Sequence, residues 1–425
     1  MSRPIPGKTY TVVSGDTLSS IASIAYGNES KWPLIYSANQ NTLKTDDPNL
    51  IFPGEVIIIP EQEELKQLKN DIIRESHGKD DFEIEINGRI IPIISGSIIR
   101  TMDTAADAWS AMIEWVPGKD DFIDRATAPY SYAPAKAYIN QERIVTGLLF
   151  KVTPELSAEG SSKKLVGYSA TINIVDSNLQ PDNYEDNNIS LKDRAIKLLK
   201  PYGLRVFVDS AAKDRADEIF DMVAATEGDT IFSHLKKLAL QKKVLISSTP
   251  KGNLLITRAN VDSPPVGTIE EDAATASLKY SAEFDGRKRF SLWRVTCQTP
   301  LKEDKKSGIS KDVNVPIMRF KNISVDNDSG GGIQETAEWI RSKEFIKAFT
   351  VPFPFPSFFA PNGEVWKENT TVTVKSATLG IKEGFTFLIR AVEFKRDSNG
   401  DAVILSLVPP QVYTGEVIDE PWRVS

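Results

Sequence analysis

The chain has 425 residues, and 51 Lys+Arg against 58 Asp+Glu give a formal charge of −7. One cysteine (Cys297) and two histidines (His77 and His234) exclude an internal disulfide framework and a Cys/His zinc site of the usual kind. The mild acidity argues against nucleic acid as the main partner, and no run of about 18 apolar residues marks a membrane-spanning helix. The N-terminal stretch has no apolar core segment, so no secretory signal is expected there. A chain of this length holds about three domains at roughly 100–200 residues each.

The run 10–13 is β-prone. Ser14, Gly15 and Asp16 form a turn, with Asp16 as the expected N-cap of a helix on which Leu18, Ile21, Ala22 and Ala25 share one face. Gly27 and Asn28 close that helix, and 32–39 forms a second one, with Pro33 tolerated near its start. The turn Pro53-Gly54 leads into a strand at 56–59, ended by Pro60, so the order is β-α-α-β. These residues resemble the LysM domain. The matching stretches are 10–18 (Tyr-Thr-Val-Val-Ser-Gly-Asp-Thr-Leu), Ile21-Ala22, Asn39 and 49–60 (Asn-Leu-Ile-Phe-Pro-Gly-Glu-Val-Ile-Ile-Ile-Pro). The resemblance implies a groove for N-acetylglucosamine-containing glycans built from Gly15, Asp16, Thr17, Asn49, Leu50 and Ile51. The stretches 25–28 and 32–35 are more similar to LysM modules of phage tail proteins, which implies a structural clip as the alternative use. The module is assigned residues 1–61. A charged linker, 62–80, follows and carries His77 as a loop residue.

Phe82, Ile84 and Ile86 alternate with Glu83, Glu85 and Asn87, the period of a half-buried strand. Asn87-Gly88 is a type I′ hairpin turn into a return strand at 89–94. Further β-prone runs at 110–115, 137–139, 143–152, 165–168 and 171–175 make 81–185 a small antiparallel barrel or sandwich. Ser190 then caps a helix with Leu191, Ala195, Leu198 and Leu199 on one face, ended by Pro201 and Gly203. A strand follows at 204–208. Asp229 or Thr230 starts a second helix carrying Ile231, Leu235 and Leu238, with His234 at the edge of the core. Strands 244–248 and 254–257 flank a turn, and 186–270 reads as an α/β unit.

From 271 to 413 the chain is again mostly β. A strand at 290–298 carries Cys297 as a small buried hydrophobe, 301–312 and 326–332 are loops, and 335–348 is a helix. Pro352, Pro354 and Pro356 interleave with Phe353, Phe355, Phe358 and Phe359, a density that argues against a central strand. Two readings stay open for these four aromatics: an exposed segment that docks a partner, or a loop folded on its own core. Strands follow at 371–375, 385–395 and 402–408, and 414–425 is a polar tail with Trp422.

No nucleophile elbow, metalloprotease motif or phosphate-binding glycine loop occurs in the sequence. The acids at Asp120, Asp121 and Asp124, and at Asp182, Glu185 and Asp186, do not follow the EF-hand ligand order. No catalytic residue, metal ligand or cofactor is assigned.

Residues 81–413 resemble the baseplate hub proteins of contractile-tailed, Mu-like bacteriophages, the late control or tail D family. The resemblance rests on several short stretches in order. These are 82–89, 142–147 with 152–154, 167–171 with 174–177, 198–204, 252–258, 363–369 and 409–413. It implies a mainly β fold with α+β parts: the LysM module, then two tube-like antiparallel β-barrel domains with an α/β domain between them. It implies a homotrimer whose pseudo-sixfold ring joins the tail tube protein to the central spike protein, with other baseplate proteins as neighbours. DNA would pass through the lumen without specific binding. The expected location is the tail baseplate of a virion, assembled in the host cytoplasm, with no membrane and no enzymatic role. The alternatives are LysM-mediated peptidoglycan binding at the tail tip, or a cell-wall hydrolase.

Overall fold

The computed structural model describes residues 3–27, 29–39, 43–45, 50–60, 82–157, 160–271, 281–297, 306–325, 332–398 and 400–422. The chain divides into two units, Met1–Asp80 and Asp81–Ser425. The expected linker 62–80, with His77, lies outside the described residues.

In the first unit, β1 (Lys8–Thr11), α1 (Leu18–Tyr26), α2 (Trp32–Asn39) and β2 (Val56–Ile59) follow the expected order. β1 and β2 pair antiparallel with Tyr10 opposite Ile57. Alternation turns Tyr10, Ile57 and Ile59 inward onto Leu18, Ile21 and Ala22 of α1 and Ile35 of α2. Asn39, at the end of α2, is buried and serves the strand: its Oδ1 accepts the Ile58 N–H at 2.8 Å and its Nδ2 donates to the Ile35 and Ile58 carbonyls at 2.7 and 2.9 Å.

The second unit opens with β3 (Phe82–Ile86), β4 (Arg89–Ile91), β5 (Ser95–Thr101), β6 (Ala108–Glu114), α3 (Asp121–Ala126), β7 (Pro134–Ile139), β8 (Glu142–Ser157) and β9 (Gly160–Ser169). The Asn87-Gly88 turn has φ of 49° and 82°, the positive pair that a type I′ hairpin requires. Gly167 of β9 faces Trp109 of β6, and a Cβ there would lie 2.3 Å from the indole ring, so no other residue fits without displacement.

The expected strand at 171–175 is instead a short helix, α4 (Ile172–Asp176). Thr171 is buried, and its hydroxyl bonds to the Ala105 carbonyl and shares a hydrogen bond with Ser169 at 2.7 Å. These contacts turn the chain at the end of β9 and override the β-propensity of its Ile and Val residues.

An α/β region follows: β10 (Glu185–Ser190), α5 (Leu191–Leu199), β11 (Val206–Val208), α6 (Lys213–Asp217), β12 (Ile219–Ala224), α7 (Ile231–Lys242), β13 (Leu245–Ser248) and β14 (Leu254–Thr257). Ser190 and Thr230 cap α5 and α7, each hydroxyl accepting a backbone N–H at 3.1 Å. Leu191, Ala195 and Leu198 of α5 pack with Leu235 and Leu238 of α7 over Ile246 and Ile256. This core also takes in Ile174 and Leu179, earlier in the chain than the expected start at 186.

The remaining elements are β15 (Thr268–Glu270), β16 (Glu283–Phe284), β17 (Leu292–Cys297), β18 (Lys306–Lys311), β19 (Phe320–Val325), α8 (Ile333–Glu344), β20 (Phe349–Phe355), β21 (Thr371–Ser376), β22 (Ile381–Asp397) and β23 (Gly400–Val408). Part of the expected 301–312 loop is thus a strand, β18, paired with β17. Residues 301–305, and 326–331 of the second expected loop, lie outside the described residues.

The two β-rich stretches, expected as separate barrels, share one sheet of 13 strands in the order β16-β20-β23-β22-β5-β6-β9-β8-β7-β3-β4, with β21 on β22 and β15 on β21. The join is β5 against β22, Arg100 opposite Val392 and Ile98 opposite Phe394. The expected polar tail is partly packed. Ile418 is buried, Trp422 stacks on Phe349 at 4.8 Å, and the Glu416 carbonyl accepts from Ser342 Oγ at 2.7 Å.

Candidate functional site

The LysM groove residues divide by role. The loops after β1 and before β2 leave the same end of the β1–β2 pair, joined by Val12 N–H to the Glu55 carbonyl and Gly54 N–H to the Val12 carbonyl, both at 2.8 Å. Gly15 has φ +95°, which a side chain would strain. The cap of α1 is Thr17, not Asp16. Thr17 Oγ1 accepts the Ser20 N–H at 3.1 Å, and the Thr17 N–H donates to Ser20 Oγ at 3.0 Å. Because Leu18 is the first helical residue, only Thr17 has the geometry of an N-cap. Asp16 holds the turn instead, accepting from the Val13 N–H at 2.9 Å and the Tyr10 hydroxyl at 2.8 Å.

On the other loop Leu50 and Phe52 are exposed, while Ile51 packs against the core. Glu55, which the sequence did not single out, fixes this loop. It is buried, and its carboxylate accepts the Lys44 and Phe52 N–H groups at 2.9 and 2.8 Å. Asn49 lies outside the described residues.

The aromatic segment 353–359 is core, which overturns the reading of an exposed docking segment. Phe353, Phe358 and Phe359 are buried and Phe355 is half-buried. Phe358 meets Phe394 edge-on at 5.5 Å and Phe355 meets Trp366 at 5.4 Å. The strand that carries Phe353 and Phe355, β20, forms in spite of its prolines. Spacing by two puts the missing N–H groups of Pro352 and Pro354 on one side of the strand, and among the described residues β16 pairs with β20 at Phe349 and Thr350, ahead of both prolines.

Sequence reasoning missed a buried charge network at the join of the large unit. Arg100 donates to the Ile144 carbonyl at 3.0 Å and the Ser248 carbonyl at 2.8 Å, and pairs with Glu368 at 2.6 Å. Asp107 lies 3.7 Å from its Nε and accepts from the Ser248 hydroxyl and from the Thr101 N–H. Burial pushes the Asp107 carboxyl up to about 6, against the pull of Arg100. A second knot joins Asp103 to Arg390 at 3.2 Å and to the Tyr413 hydroxyl at 3.0 Å. No local motif announces either network, since the partners come from distant segments. Among the described residues no group of three or more His, Cys, Asp or Glu is placed to hold a metal, and no helix is long and apolar enough to cross a membrane.

Two protein families match the chain: LysM over residues 10–60, and "Baseplate hub protein gp44-like, second domain" over residues 171–258. Among solved structures, a 43 kDa tail protein of prophage MuSo2 from Shewanella oneidensis superposes with a TM-score of 0.65 at 23% identity, covering 78% of this chain and 99% of that one. A tail protein from Neisseria meningitidis gives a TM-score of 0.66 at 19% identity, covering 79% and 98%. The potassium binding protein Kbp of Escherichia coli is 49% identical over 53 residues, which are 12% of this chain. The chain spans about a third, 34%, of that relative's length. The chain therefore joins a stretch that matches LysM to one that matches the second domain of gp44-like baseplate hub proteins, in a body that shares its fold with the MuSo2 and Neisseria tail proteins.

Proposed function

We propose that this protein is the structural hub of a phage tail baseplate. Three copies form a ring with pseudo-sixfold symmetry, each contributing its two β-rich stretches. The ring joins the tail tube protein to the central spike protein, and DNA passes through its lumen. The work is mechanical and needs no bond-breaking step. The observation that carries this reading is the shared fold, which extends over 99% of the MuSo2 tail protein. Sedimentation of the purified chain tests it. A trimer or larger closed species is expected, and a monomer at high concentration overturns it.

In this reading the LysM module is a clip to neighbouring baseplate proteins, and the hub resides in the virion. The capping box, the Asp16 turn and the Glu55 clamp use side-chain groups of the groove for internal bonds. Retention on purified peptidoglycan distinguishes the clip from a glycan-binding groove. No retention at physiological salt is expected. Retention that is lost when Leu50 and Phe52 are both replaced by Ser assigns the groove to glycan instead.

A further inference from the structure

α7, β19 and α8 border a cavity of about 250 Å³ with an aliphatic wall of Leu240, Ile323, Val325 and Ile340. Lys343, in the last turn of α8, is half-buried and lines it. Its Nζ lies 4.5 Å from the centre of the Trp339 ring, one turn earlier. Among the described residues neither a hydrogen bond nor an ion pair reaches this amine. Lys163, Lys242 and Lys243, which the fold also encloses, are each answered by an oxygen: the Thr127 hydroxyl at 2.8 Å, Glu218 at 3.1 Å, and Glu335. Lys237, the second lysine at the cavity, is tied to Asp229 at 2.9 Å. The charged groups around Lys343 divide: Asp103 and Glu344 favour the ammonium, and Lys236 and Arg390 oppose it. Asp103 is already shared by Arg390 and Tyr413, and Glu344 is held by Lys347 at 2.6 Å. Burial prevails and brings Lys343 down from 10.5 to about 8.

We propose that Lys343 is a nucleophilic amine that captures a small apolar aldehyde in this cavity. A lysine that its surroundings hold neutral keeps the lone pair that forms a Schiff base. That lone pair adds to the carbonyl carbon, and the π pair moves to oxygen, which takes up a proton. Loss of water from the resulting carbinolamine leaves a carbon–nitrogen double bond. One water is released for each imine, and no oxidant or further leaving group is needed. The aliphatic wall selects an apolar body, and the volume limits it to a small one. Since Lys237 is tied to Asp229, no second free cation lines the cavity to hold a phosphate or carboxylate on that body. The adduct is a reversible modification of the chain, not a turnover, and it does not rest on the trimeric reading.

Reductive trapping on the full chain tests it. Benzaldehyde is the probe, cyanoborohydride supplies the hydride that reduces the imine to a secondary amine, and peptide mass mapping reads the sites. At pH 7.5 Lys343 is expected to label at least tenfold faster than the exposed Lys251 and Lys347, because an ordinary lysine is almost wholly protonated there. Its rate should reach half its maximum near pH 8. Glyoxylate, whose carboxylate the aliphatic wall disfavours, should lose the preference for Lys343. Ser324→Glu, at an exposed position on the cavity, adds a carboxylate that favours the ammonium. It should slow labelling of Lys343 several-fold and leave Lys251 unchanged. Labelling of Lys343 no faster than that of Lys251, or a midpoint above pH 10, overturns the nucleophile. Equal preference with glyoxylate overturns the apolar ligand class, and unchanged labelling in Ser324→Glu overturns the cavity as its place.

Discussion

Two buried residues titrate in opposite senses. His234 on α7 is 1% exposed, and its Nε2 accepts from Arg194 Nε at 3.2 Å. Burial, with the Arg194 charge beside it, lowers its value from the ordinary 6.5 to about 4. Below 6.5 the unfolded chain takes up a proton that the fold refuses. The contribution of His234 is therefore present above pH 6.5 and lost as pH falls through 4. Asp107, raised from 3.8 to about 6, behaves in reverse. Its contribution is complete below pH 3.8 and lost as pH rises through 6. Over the shared window the two offset each other. His234→Gln keeps an acceptor for Arg194 and removes the acid-side loss, so stability at pH 5 relative to pH 7 should rise by about 1–2 kcal/mol. Asp107→Asn should lower the same difference by about 1 kcal/mol. Urea unfolding at the two pH values checks both. Variants that keep the parent's pH difference would show that neither group is coupled to folding as described.

At the scale of elements, local chemistry was legible and long-range pairing was not. Ser190 and Thr230 announce α5 and α7, and Asn87-Gly88 announces the β3–β4 hairpin, because caps and turns are written in adjacent residues. Asp16 and Thr17 are both good caps, so sequence alone could not choose between neighbours until the helix start was fixed at Leu18. The polar stretch of β18 offers few apolar residues, and its pairing with β17 spans a loop. β20 was hidden because its prolines fall past the positions that pair with β16 among the described residues, which depends on where β16 lies. The pairing of β5 with β22 unites residues almost a whole unit apart, and no periodicity reports it. The burial of Phe353, fully enclosed at 0%, gives this element its test. Phe353→Ala should lose about 3–5 kcal/mol, as large core aromatics do when truncated. Gly167→Ala should lose about 1–3 kcal/mol, since its methyl group must displace Trp109 from the sheet. Chemical denaturation of each variant measures both losses, and a loss below 1 kcal/mol for Phe353→Ala would mean the segment is not core.

At the scale of the large unit, the question is what makes the strand-rich stretches and the α/β region act as one body. The apolar cores are distinct for the α/β region and the great sheet. Arg100 bridges them: it sits on β5, bonds to Ile144 on β8 and Ser248 at the end of β13, and pairs with Glu368 from the C-terminal stretch. Replacing a buried ion pair by apolar groups of similar size is often neutral, but removing one member leaves the others charged in a poorly hydrated site. Arg100→Met leaves both Asp107 and Glu368 without their shared cation, together with two bare carbonyls. The expected loss is about 3–5 kcal/mol. Because Asp107 already holds its proton up to about 6, part of the loss should be recovered at acid pH, where neutral Asp107 no longer needs a counter-charge. The triple variant Arg100→Met/Asp107→Asn/Glu368→Gln removes the stranded charge and should recover much of the stability at neutral pH. If the network couples the regions, Arg100→Met should also split one unfolding transition into two by calorimetry, with the triple variant still split, since it restores neutrality but not the bridge. A single sharp transition in both would show that the β5–β22 pairing alone holds the body together.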